Sequence, residues 1–469
     1  MTTEAPSATP KPAPALNSYT AVLVVDPTAR AVSGSEKITY NNNSEKMLSE
    51  IKINTYMNAF TEHAAQKPYF PEQINAFFPL GFEYARFEIL SVTAHDAPLD
   101  FVLEETTLTV FLPEELPPGG AADINLSFAA YVPIMNARTG ANEYSMWFGG
   151  FLPILAVFDG ESWHSDPYYP VGDPFYSEAA NYEVTVTTPK GCAVITTGAE
   201  TYYETDEVRV TTTSAKMVRD FSFTVSPFYT AQYAKTPSGK YINFYAYSEL
   251  DDEKKQGYID ATIRSMEYFT SIAGAHPSTA VDIVETTLFT PGAVSYPSLI
   301  FLDFKSFGEE ADDDVNRAIA HEIGHQWFSV LIGSDSVHEQ WLTEGITALL
   351  DNYVFLDEDG VYSVMRGLYE SVRGLVLGRL TDDLSVYGSW EACRLVQRAK
   401  SSLMFYALKQ KIGNAAWAET IKRYAVEYSY KIAAGGDFLR IAAETGGTDL
   451  TDFFDEWNGY GIPDIGQKR

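Results

Sequence analysis

The sequence predicts an α+β protein of two domains. An N-terminal antiparallel β-sandwich-like domain is expected over residues 18–235, and a mainly helical domain with a small sheet over residues 236–469. The length of 469 residues favours two or three domains, at roughly 100–200 residues each. Apolar and polar residues alternate up to about residue 226, whereas apolar residues recur at helical spacing after residue 249. This change of period indicates that a β domain precedes an α-rich one.

Composition excludes several functional classes. Hydrophobic residues make up 45% of the chain and aromatic residues 14%, which is too high for a mostly disordered protein. There are 33 Lys and Arg residues against 63 Asp and Glu residues, so the net charge is −30. Such a surface repels phosphate backbones, and a nucleic-acid partner is therefore disfavoured. The two cysteines, Cys192 and Cys393, exclude a disulfide-rich scaffold and a four-cysteine zinc site, and leave one disulfide or two free thiols open.

The first 17 residues are rich in Pro and Ala and predict a disordered tether. Such a tether often follows a removed export or lipid-anchor signal, so an extracellular or cell-surface location with an upstream membrane anchor is expected. A disordered cytosolic tail is the alternative. The longest apolar run, Met146–Phe158, is too short to span a membrane.

Strands of the first domain are predicted by short segments rich in β-branched and aromatic residues, each bounded by Gly, Pro, Asn or Asp. They are YTAVLVVD, SEKITYNN, ARFEILSV, DFVLEETTLTVFLP, DINLSFAAYV, YEVTVTTP and EVRVTTT. A few further strands are predicted just after the domain boundary, in SGKYINFYAYSEL. Their number and spacing over roughly 200 residues are typical of a β-sandwich.

The second domain begins with a long predicted helix that stops at Gly274. Two strands, VDIVETTLF and SLIFLDF, follow. Helices are then predicted over about 312–331, 343–357, 360–376, 391–411 and 414–430, with a short terminal helix at the end.

One motif in the sequence indicates a catalytic metal site. Residues 321–325, HEIGH, form an H-E-x-x-H run within a predicted helix. Residues four apart lie on one helix face, so His321 and His325 can bind one zinc ion with Glu322 at the same site. With only seven histidines in the chain, such a run arises by chance in roughly 1% of sequences of this composition. A pair of helix-face histidines without a metal is the alternative.

A third ligand is available in the next helix. A break at Gly333 is followed by WLTEGITALLDNY, which places Glu344 in a predicted first turn. Two histidines and a carboxylate, with the fourth position left to water, are typical of a catalytic zinc site. For Glu344 alone, a carboxylate favoured by the helix dipole is the alternative. Glu322 would act as the general base on the zinc-activated water, and a further donor must stabilise the oxyanion.

HEIGHQWF, a gap of eighteen residues and WLTEG resemble the H-E-x-x-H-x18-E signature of the aminopeptidase N family of zinc gluzincins. The stretches WHSDPYYPVGDPFYSEAANYEVTVTTP, GAVSYPSLIFL and VQRAKSSLMFYALKQKIG extend the resemblance to about residues 18–430. It implies a short, two-domain, bacterial-type member with a thermolysin-like catalytic domain. It also implies one zinc ion per chain and the removal of N-terminal residues from peptides.

Two positions depart from that family. Its Gly-x-Met-Glu-Asn strand binds the free amine of the substrate through the Glu, and Ser295 stands at that position here. A neutral hydroxyl cannot supply the charge-assisted contact that an ammonium group needs. The family's oxyanion-binding Tyr is replaced by Arg398, whose guanidinium could donate instead. Tyr387 is an alternative donor.

Three further residues are implied in substrate binding. Asp173 resembles the acidic residue with which the family's β domain also holds the amine. Gly292 and Ala293 lie in the corresponding edge strand and could pair with an extended substrate backbone.

The sequence therefore predicts a zinc-dependent metallopeptidase that acts on peptides or proteins with altered specificity, as an endopeptidase or on modified substrates. An ordinary aminopeptidase that uses Asp173 is one alternative. A zinc-bound peptide-binding protein with impaired catalysis is another. The presence of Glu322, which has no ligand role, favours an enzyme over a binder.

Overall fold

A computed structural model describes residues 15–289, 292–307 and 312–465. The predicted tether at residues 1–17 lies outside the described residues except for its last three positions. The α+β class is confirmed: an N-terminal part of several β-sheets is followed by a helical part with one small sheet. Within the described ranges, no helix is long and apolar enough to cross a membrane.

The strands of the first part occupy most of residues 18–226. They are β1 (Ser18–Asp26), β2 (Ala31–Asn41), β3 (Leu48–Asn54), β4 (Arg86–Ala94), β5 (Ala97–Pro98), β6 (Phe101–Glu104), β7 (Thr107–Leu116), β8 (Ala121–Tyr131), β9 (Thr139–Ala141), β10 (Met146–Phe148), β11 (Ile154–Leu155), β12 (Val157–Phe158), β13 (Trp163–His164), β14 (Ala180–Pro189), β15 (Ala193–Thr196), β16 (Ala199–Glu204), β17 (Val208–Val218) and β18 (Phe223–Ser226). Helix α1 (Ile74–Phe77) and two 3₁₀ turns (Tyr56–Phe60 and Pro71–Gln73) interrupt them.

An eight-stranded sheet forms the largest layer, in the order β16-β17-β14-β1-β2-β8-β4-β5. Its strands pair antiparallel except β1 with β14, which are parallel. Strand β1 shows why it forms: Tyr19, Ala21, Leu23 and Val25 are buried, while the residues between them face outward. This is the period-2 pattern of a half-buried strand. Two four-stranded sheets, β15-β18-β10-β9 and β11-β3-β7-β6, and a two-stranded sheet, β12-β13, accompany it, and a large hydrophobic core lies between the layers.

The second part contains strands and helices around a separate core. They are β19 (Thr230–Lys235), β20 (Tyr241–Ala246), α2 (Asp252–Ala273), β21 (Ala280–Glu285), β22 (Ala293–Tyr296), β23 (Leu299–Leu302), α3 (Asp312–His325), α4 (Gln340–Phe355), α5 (Glu358–Val372), α6 (Trp390–Arg394), α7 (Ser401–Ile412), α8 (Asn414–Tyr428), α9 (Gly435–Gly446) and α10 (Thr451–Trp457), with 3₁₀ turns at Phe304–Phe307 and Leu384–Val386. Helix α3 continues as a π-helical turn over Gln326–Leu331, and a second π-helical turn, Leu395–Lys400, joins α6 to α7.

The small sheet has the order β19-β20-β21-β23-β22. Strands β20, β21 and β23 run parallel, and β22 pairs antiparallel with β23 at the edge. Because β19 pairs with β20, residues 230–235 belong to this sheet. The predicted domain division at residue 235 stays a prediction. The predicted small sheet ends in an edge strand that lies beside α3, where the H-E-x-x-H motif is found.

The structure corrects two sequence expectations. Helix α4 begins at Gln340 rather than at 343, so Glu344 is its fifth residue and lies beyond the first turn. The dipole at the helix start therefore does not account for a carboxylate at this position. Helix α9 was not predicted between the helix ending near 430 and the terminal helix, because its GGDFLRIAAETG sequence begins with two glycines.

Close packing of α4 against α7 holds Glu344 in place. A Cβ atom added at Gly345 would lie 2.5 Å from both Cβ and Oγ of Ser401. The two helix backbones can approach this closely only because position 345 has no side chain. The glycine after the third predicted ligand therefore sets the depth of α4 in the domain.

We expect Gly345→Ala to destabilise the protein by about 1–3 kcal/mol, because the added methyl group would force α4 and α7 apart. Gly257→Ala is the matched control: Gly257 is also helical, but nothing lies within 4 Å of a Cβ added there. Since alanine is the better helix former, the control variant should be neutral or slightly more stable. Denaturant titration of both variants checks this, and equal effects would contradict the packing argument.

Candidate metal centre

Helix α3 presents the H-E-x-x-H motif to the interior. Its first turn carries Asp312, Asp313 and Asp314, whose charges favour the positive end of the helix dipole. His321, Glu322 and His325, near its other end, are all buried. The two imidazole rings lie one turn apart, with centroids separated by 4.6 Å.

Glu344 from α4 meets the two imidazoles. His321 Nε2 lies 3.1 Å from His325 Nε2 and 3.3 Å from Glu344 Oε2, and His325 Nε2 lies 3.4 Å from Glu344 Oε1. Ligands at about 2.0–2.1 Å around a tetrahedral zinc ion are separated by about 3.3 Å. The donor set and its spacing thus fit zinc. Among the described residues, this is the one group of three or more His, Cys, Asp or Glu side chains that could hold a metal ion.

Asp351 orients the first imidazole. Its Oδ2 lies 3.0 Å from Nδ1 of His321, which leaves Nε2 free to face Glu344. Carboxylates commonly fix the tautomer of metal-binding histidines in this way. Burial lowers the pKa of His321, but hydrogen bonds to Asp351 and Glu344 outweigh it and raise the pKa to about 9. Burial acts to raise the pKa of Glu344, yet hydrogen bonds to the two histidines hold it well below its usual value.

Glu322 lines the same cavity as His321 and Glu344 without joining the ligand group. Burial raises the pKa of its carboxyl group, and the positive fields of the two histidines oppose that rise. A buried carboxylate beside a metal centre is suited to accept a proton.

Ser295 on β22 forms hydrogen bonds to the helical segment that carries the H-E-x-x-H motif. Its hydroxyl group donates a hydrogen bond of 3.0 Å to the backbone oxygen of Glu322 and accepts one of 2.5 Å from the Gln326 side chain. Ala293 begins the same edge strand, and Gly292, with a φ of +90°, immediately precedes it. None of the three is among the residues that line the metal cavity. Their predicted contacts with substrate stay predictions.

Asp173 from the β domain also lies outside the metal-cavity lining. Its Oδ1 is 3.7 Å from a guanidinium nitrogen of Arg138, and Arg138 does line that cavity. Burial acts to lower the pKa of Arg138, but Asp173 and two tyrosines reverse the effect, so the guanidinium stays charged. Asp173 and Ser295 share instead a small cavity of about 50 Å³ that also includes the half-buried Asp220.

Arg398 lines the metal cavity, as an oxyanion donor must. It lies 3.8 Å from Asp351, the partner of His321. Its role in holding the oxyanion stays a prediction. Tyr387 is buried in a neighbouring apolar cluster, where its hydroxyl accepts a 2.7 Å hydrogen bond from Gln397. Tyr387 is not among the lining residues of the metal cavity.

Three residues of the site were missed by the sequence analysis: Asp351, Arg138 and Arg394. Asp351 follows Glu344 by seven residues, or two helical turns, so helical spacing from the third ligand could have identified it. Arg138 comes from the β domain, and no local pattern links it to the motif. Arg394 lies one turn before Arg398, and burial together with the charge of Arg398 lowers its pKa.

Comparison with known proteins identifies the fold. No family model matches the chain. The M1 zinc metallopeptidase of Deinococcus radiodurans superposes with a TM-score of 0.70 at 16% identity, over 96% of this chain and 95% of that one. A variant of that protein bound to a Tyr-Ser-Ala substrate superposes with a TM-score of 0.69 at 15% identity, over 96% of both chains. This chain has the two-domain M1 zinc metallopeptidase fold.

Two proteins that match this chain in sequence are aminopeptidases. Aminopeptidase N of Lactococcus lactis subsp. lactis is 21% identical over 243 residues, which is 48% of this chain and 28% of that protein. Human endoplasmic reticulum aminopeptidase 2 is 27% identical over 226 residues, or 43% of this chain and 22% of that protein. The matches thus span less than a third of either relative. The predicted resemblance to the aminopeptidase N family is confirmed, and the M1 fold supports zinc as the ion for the three donors.

Asp351→Asn should weaken zinc binding by about 10–100-fold, because an amide orients and polarises His321 less well than a carboxylate does. Asp455→Asn, an exposed change on α10, is the charge-matched control and should leave zinc affinity unaltered. Competition with a chromophoric chelator measures both dissociation constants. Equal affinity in the two variants would show that Asp351 does not support the metal ligand.

Proposed function

We propose that this chain is a zinc-dependent metallopeptidase that hydrolyses peptide bonds. The observation that carries the proposal is the convergence of His321, His325 and Glu344 beside the buried Glu322. Two imidazoles and one carboxylate leave a coordination position for water, as catalytic rather than structural zinc sites do. The M1 fold and the peptide-bound relative of that fold support a peptide as the substrate.

Three residues of the chain have separate roles in the proposed reaction. When bound, zinc would polarise a peptide carbonyl and make a water acidic enough to give up a proton near neutral pH. Glu322 accepts that proton and later returns it to the leaving amine. Arg398 donates hydrogen bonds to the oxyanion that develops on the substrate, in the place of a tyrosine hydroxyl. Asp351 holds the imidazole of His321 in one orientation throughout.

We propose that specificity differs from simple removal of an N-terminal residue. The metal cavity is lined by three guanidinium groups, those of Arg138, Arg394 and Arg398. Its lining carboxylates are Glu322 and Glu344, which are assigned to catalysis and metal binding. A free α-ammonium group would face these cations without a carboxylate of its own to bind. A peptide bound internally, or one with a modified N-terminus, avoids that repulsion.

The hydrogen bonds of Ser295 support the same proposal. Its hydroxyl group is already engaged by Glu322 and Gln326, so it acts as a brace between β22 and α3. Asp173 is the remaining candidate for holding an amine, but Arg138 lies beside it as a competing cation. The positive charge of Arg138 beside Asp173 therefore favours an endopeptidase over an aminopeptidase that binds the substrate's amine through Asp173.

We expect Glu322→Gln to lower peptide cleavage by at least about 10²–10⁴-fold while the protein keeps one zinc ion, because glutamine cannot accept the proton. Glu419→Gln, an exposed change on α8, is the matched control and should cleave at the wild-type rate. Cleavage of an unfolded protein substrate, followed by mass spectrometry and paired with zinc analysis, provides the measurement. Wild-type zinc binding without any cleavage would instead favour a peptide-binding protein.

Wild-type protein should cleave N-acetylated peptides at least as efficiently as the same peptides with a free amine, since no carboxylate is available for the ammonium group. Chromatographic separation of the products gives kcat/KM for each member of the pair. Asp173→Asn should leave the ratio unchanged. Amine-dependent release of single residues that is lost in Asp173→Asn would establish the aminopeptidase alternative.

A further inference from the structure

A second cavity adjoins the metal centre. The cavity at the metal centre has a volume of about 50 Å³, which is too small for a substrate side chain beyond the reacting groups. The adjoining cavity has a volume of about 540 Å³, within the range of small-molecule and peptide subsites. Arg394 and Arg398 line both, so the two cavities meet at these guanidinium groups.

The larger cavity has an apolar wall. Its lining includes Phe355 at the end of α4, the next residue Leu356, and Met365 and Leu368 of α5. Met365 is fully buried, whereas the other three are partly exposed to the cavity. A wall of this kind gains stability when an apolar side chain displaces water from it.

Three arginines line the larger cavity. Arg317 from α3 joins Arg394 and Arg398 in its lining. Among the described residues, neither Arg317 nor Arg394 has a hydrogen bond or ion pair to a side chain, and Arg398 has one contact of 3.8 Å to Asp351. Three guanidinium groups converge here in a chain whose acidic residues outnumber its basic ones 63 to 33.

The acidic groups of the cavity do not neutralise these arginines. The carboxylates in its lining are Asp351 and Glu391. Asp351 is hydrogen-bonded to His321 and Asn352. Glu391 is exposed and forms no ion pair with Arg394 among the described residues. The cavity therefore retains guanidinium donors that a ligand carboxylate can bind in a bidentate manner.

We propose that this cavity is a substrate subsite, C-terminal to the scissile bond, that binds an apolar side chain followed by a carboxylate. The inference rests on the proposed peptidase function and names its substrate class. The carboxylate can come from the free C-terminus of a short peptide or from an acidic side chain in a longer one. Arg317 and Arg394 bind it, while the wall formed by α4 and α5 takes the apolar side chain.

Three N-acetylated peptides of one core sequence test the subsite. Each places leucine two residues after the bond to be cut; the first ends there as a free acid, the second as an amide, and the third continues with glutamate amide. Wild-type kcat/KM should be at least about tenfold higher for the free acid or the glutamate peptide than for the leucine amide. Whichever of the two is preferred identifies the source of the carboxylate.

The double variant Arg317→Gln/Arg394→Gln should reduce that preference to about one. Arg423→Gln/Arg440→Gln removes two positive charges from the exposed surface of α8 and α9 and should retain the preference. Thermal melting and zinc content verify that both variants are folded. A wild-type protein without preference for a carboxylate, or a preference that survives in Arg317→Gln/Arg394→Gln, would overturn the proposal.

Binding to the Glu322→Gln protein separates this proposal from the proposed function. Calorimetry should show at least about tenfold tighter binding of a carboxylate peptide than of the amide, and the two arginine substitutions should abolish the difference. If the wild-type protein cleaves no peptide but this selective binding persists, the peptidase function fails and the subsite stands. Equal affinity for all three peptides would refute the subsite, whatever the cleavage result.

Discussion

The convergence of two imidazoles and one carboxylate in a buried place is the interaction on which the rest of the site depends. It requires α3 and α4 to lie at one fixed separation, because Glu344 must meet His321 and His325 at 3.3–3.4 Å. Gly324 of α3 permits that separation, because a Cβ added there would lie 2.7 Å from Cγ2 of Thr347 on α4, and the packing of Gly345 against Ser401 fixes where α4 lies against α7. Buried histidines and carboxylates are costly unless they are paired or bind a metal. A divalent cation at their centre would offset that cost and connect the two helices directly.

Charge distribution distinguishes this site from the surface around it. The chain is strongly acidic overall, yet Arg138, Arg394 and Arg398 line the metal cavity and Arg317 extends the positive region into the larger one. Positive walls in a confined cleft attract anionic groups and repel an ammonium group more strongly than exposed charges do. The neutral hydroxyl group of Ser295 and these arginines act in the same direction. Both favour a substrate that is neutral or acidic where it enters the site.

Much of this was predictable from the sequence because it depends on local spacing. The period-2 pattern of β1 and the i, i+4 spacing of His321 and His325 both follow from the geometry of single elements. Contacts between distant segments were not predictable in this way. Arg138 reaches the metal cavity from a β domain more than 180 residues before His321, and only the folded arrangement of the two domains brings them together. The apolar wall between α4 and α5 also arises from tertiary packing, since its residues resemble ordinary core residues in the sequence.

Placement of Ser295 shows how a matched position can take a different role. The resemblance predicts that this position holds the substrate's amine, whereas the Ser295 hydroxyl group donates a hydrogen bond to the backbone of Glu322. A short side chain at this position reaches the neighbouring helix, while a longer one would extend beyond it. Ser295 thus lies in the edge strand, and its hydroxyl group stabilises α3 through this hydrogen bond. Such a change is visible only when the hydrogen-bond partners are known.

X-ray absorption at the zinc edge identifies the atoms that bind the metal. For purified wild-type protein with one equivalent of zinc, we expect two imidazole nitrogens together with oxygen ligands at about 2.0–2.2 Å. Glu344→Gln should alter the oxygen shell, whereas the imidazole scattering should persist. A spectrum with one or no imidazole ligand, with sulfur ligands from Cys192 or Cys393, or identical to that of hydrated zinc would show that His321, His325 and Glu344 do not form the metal site.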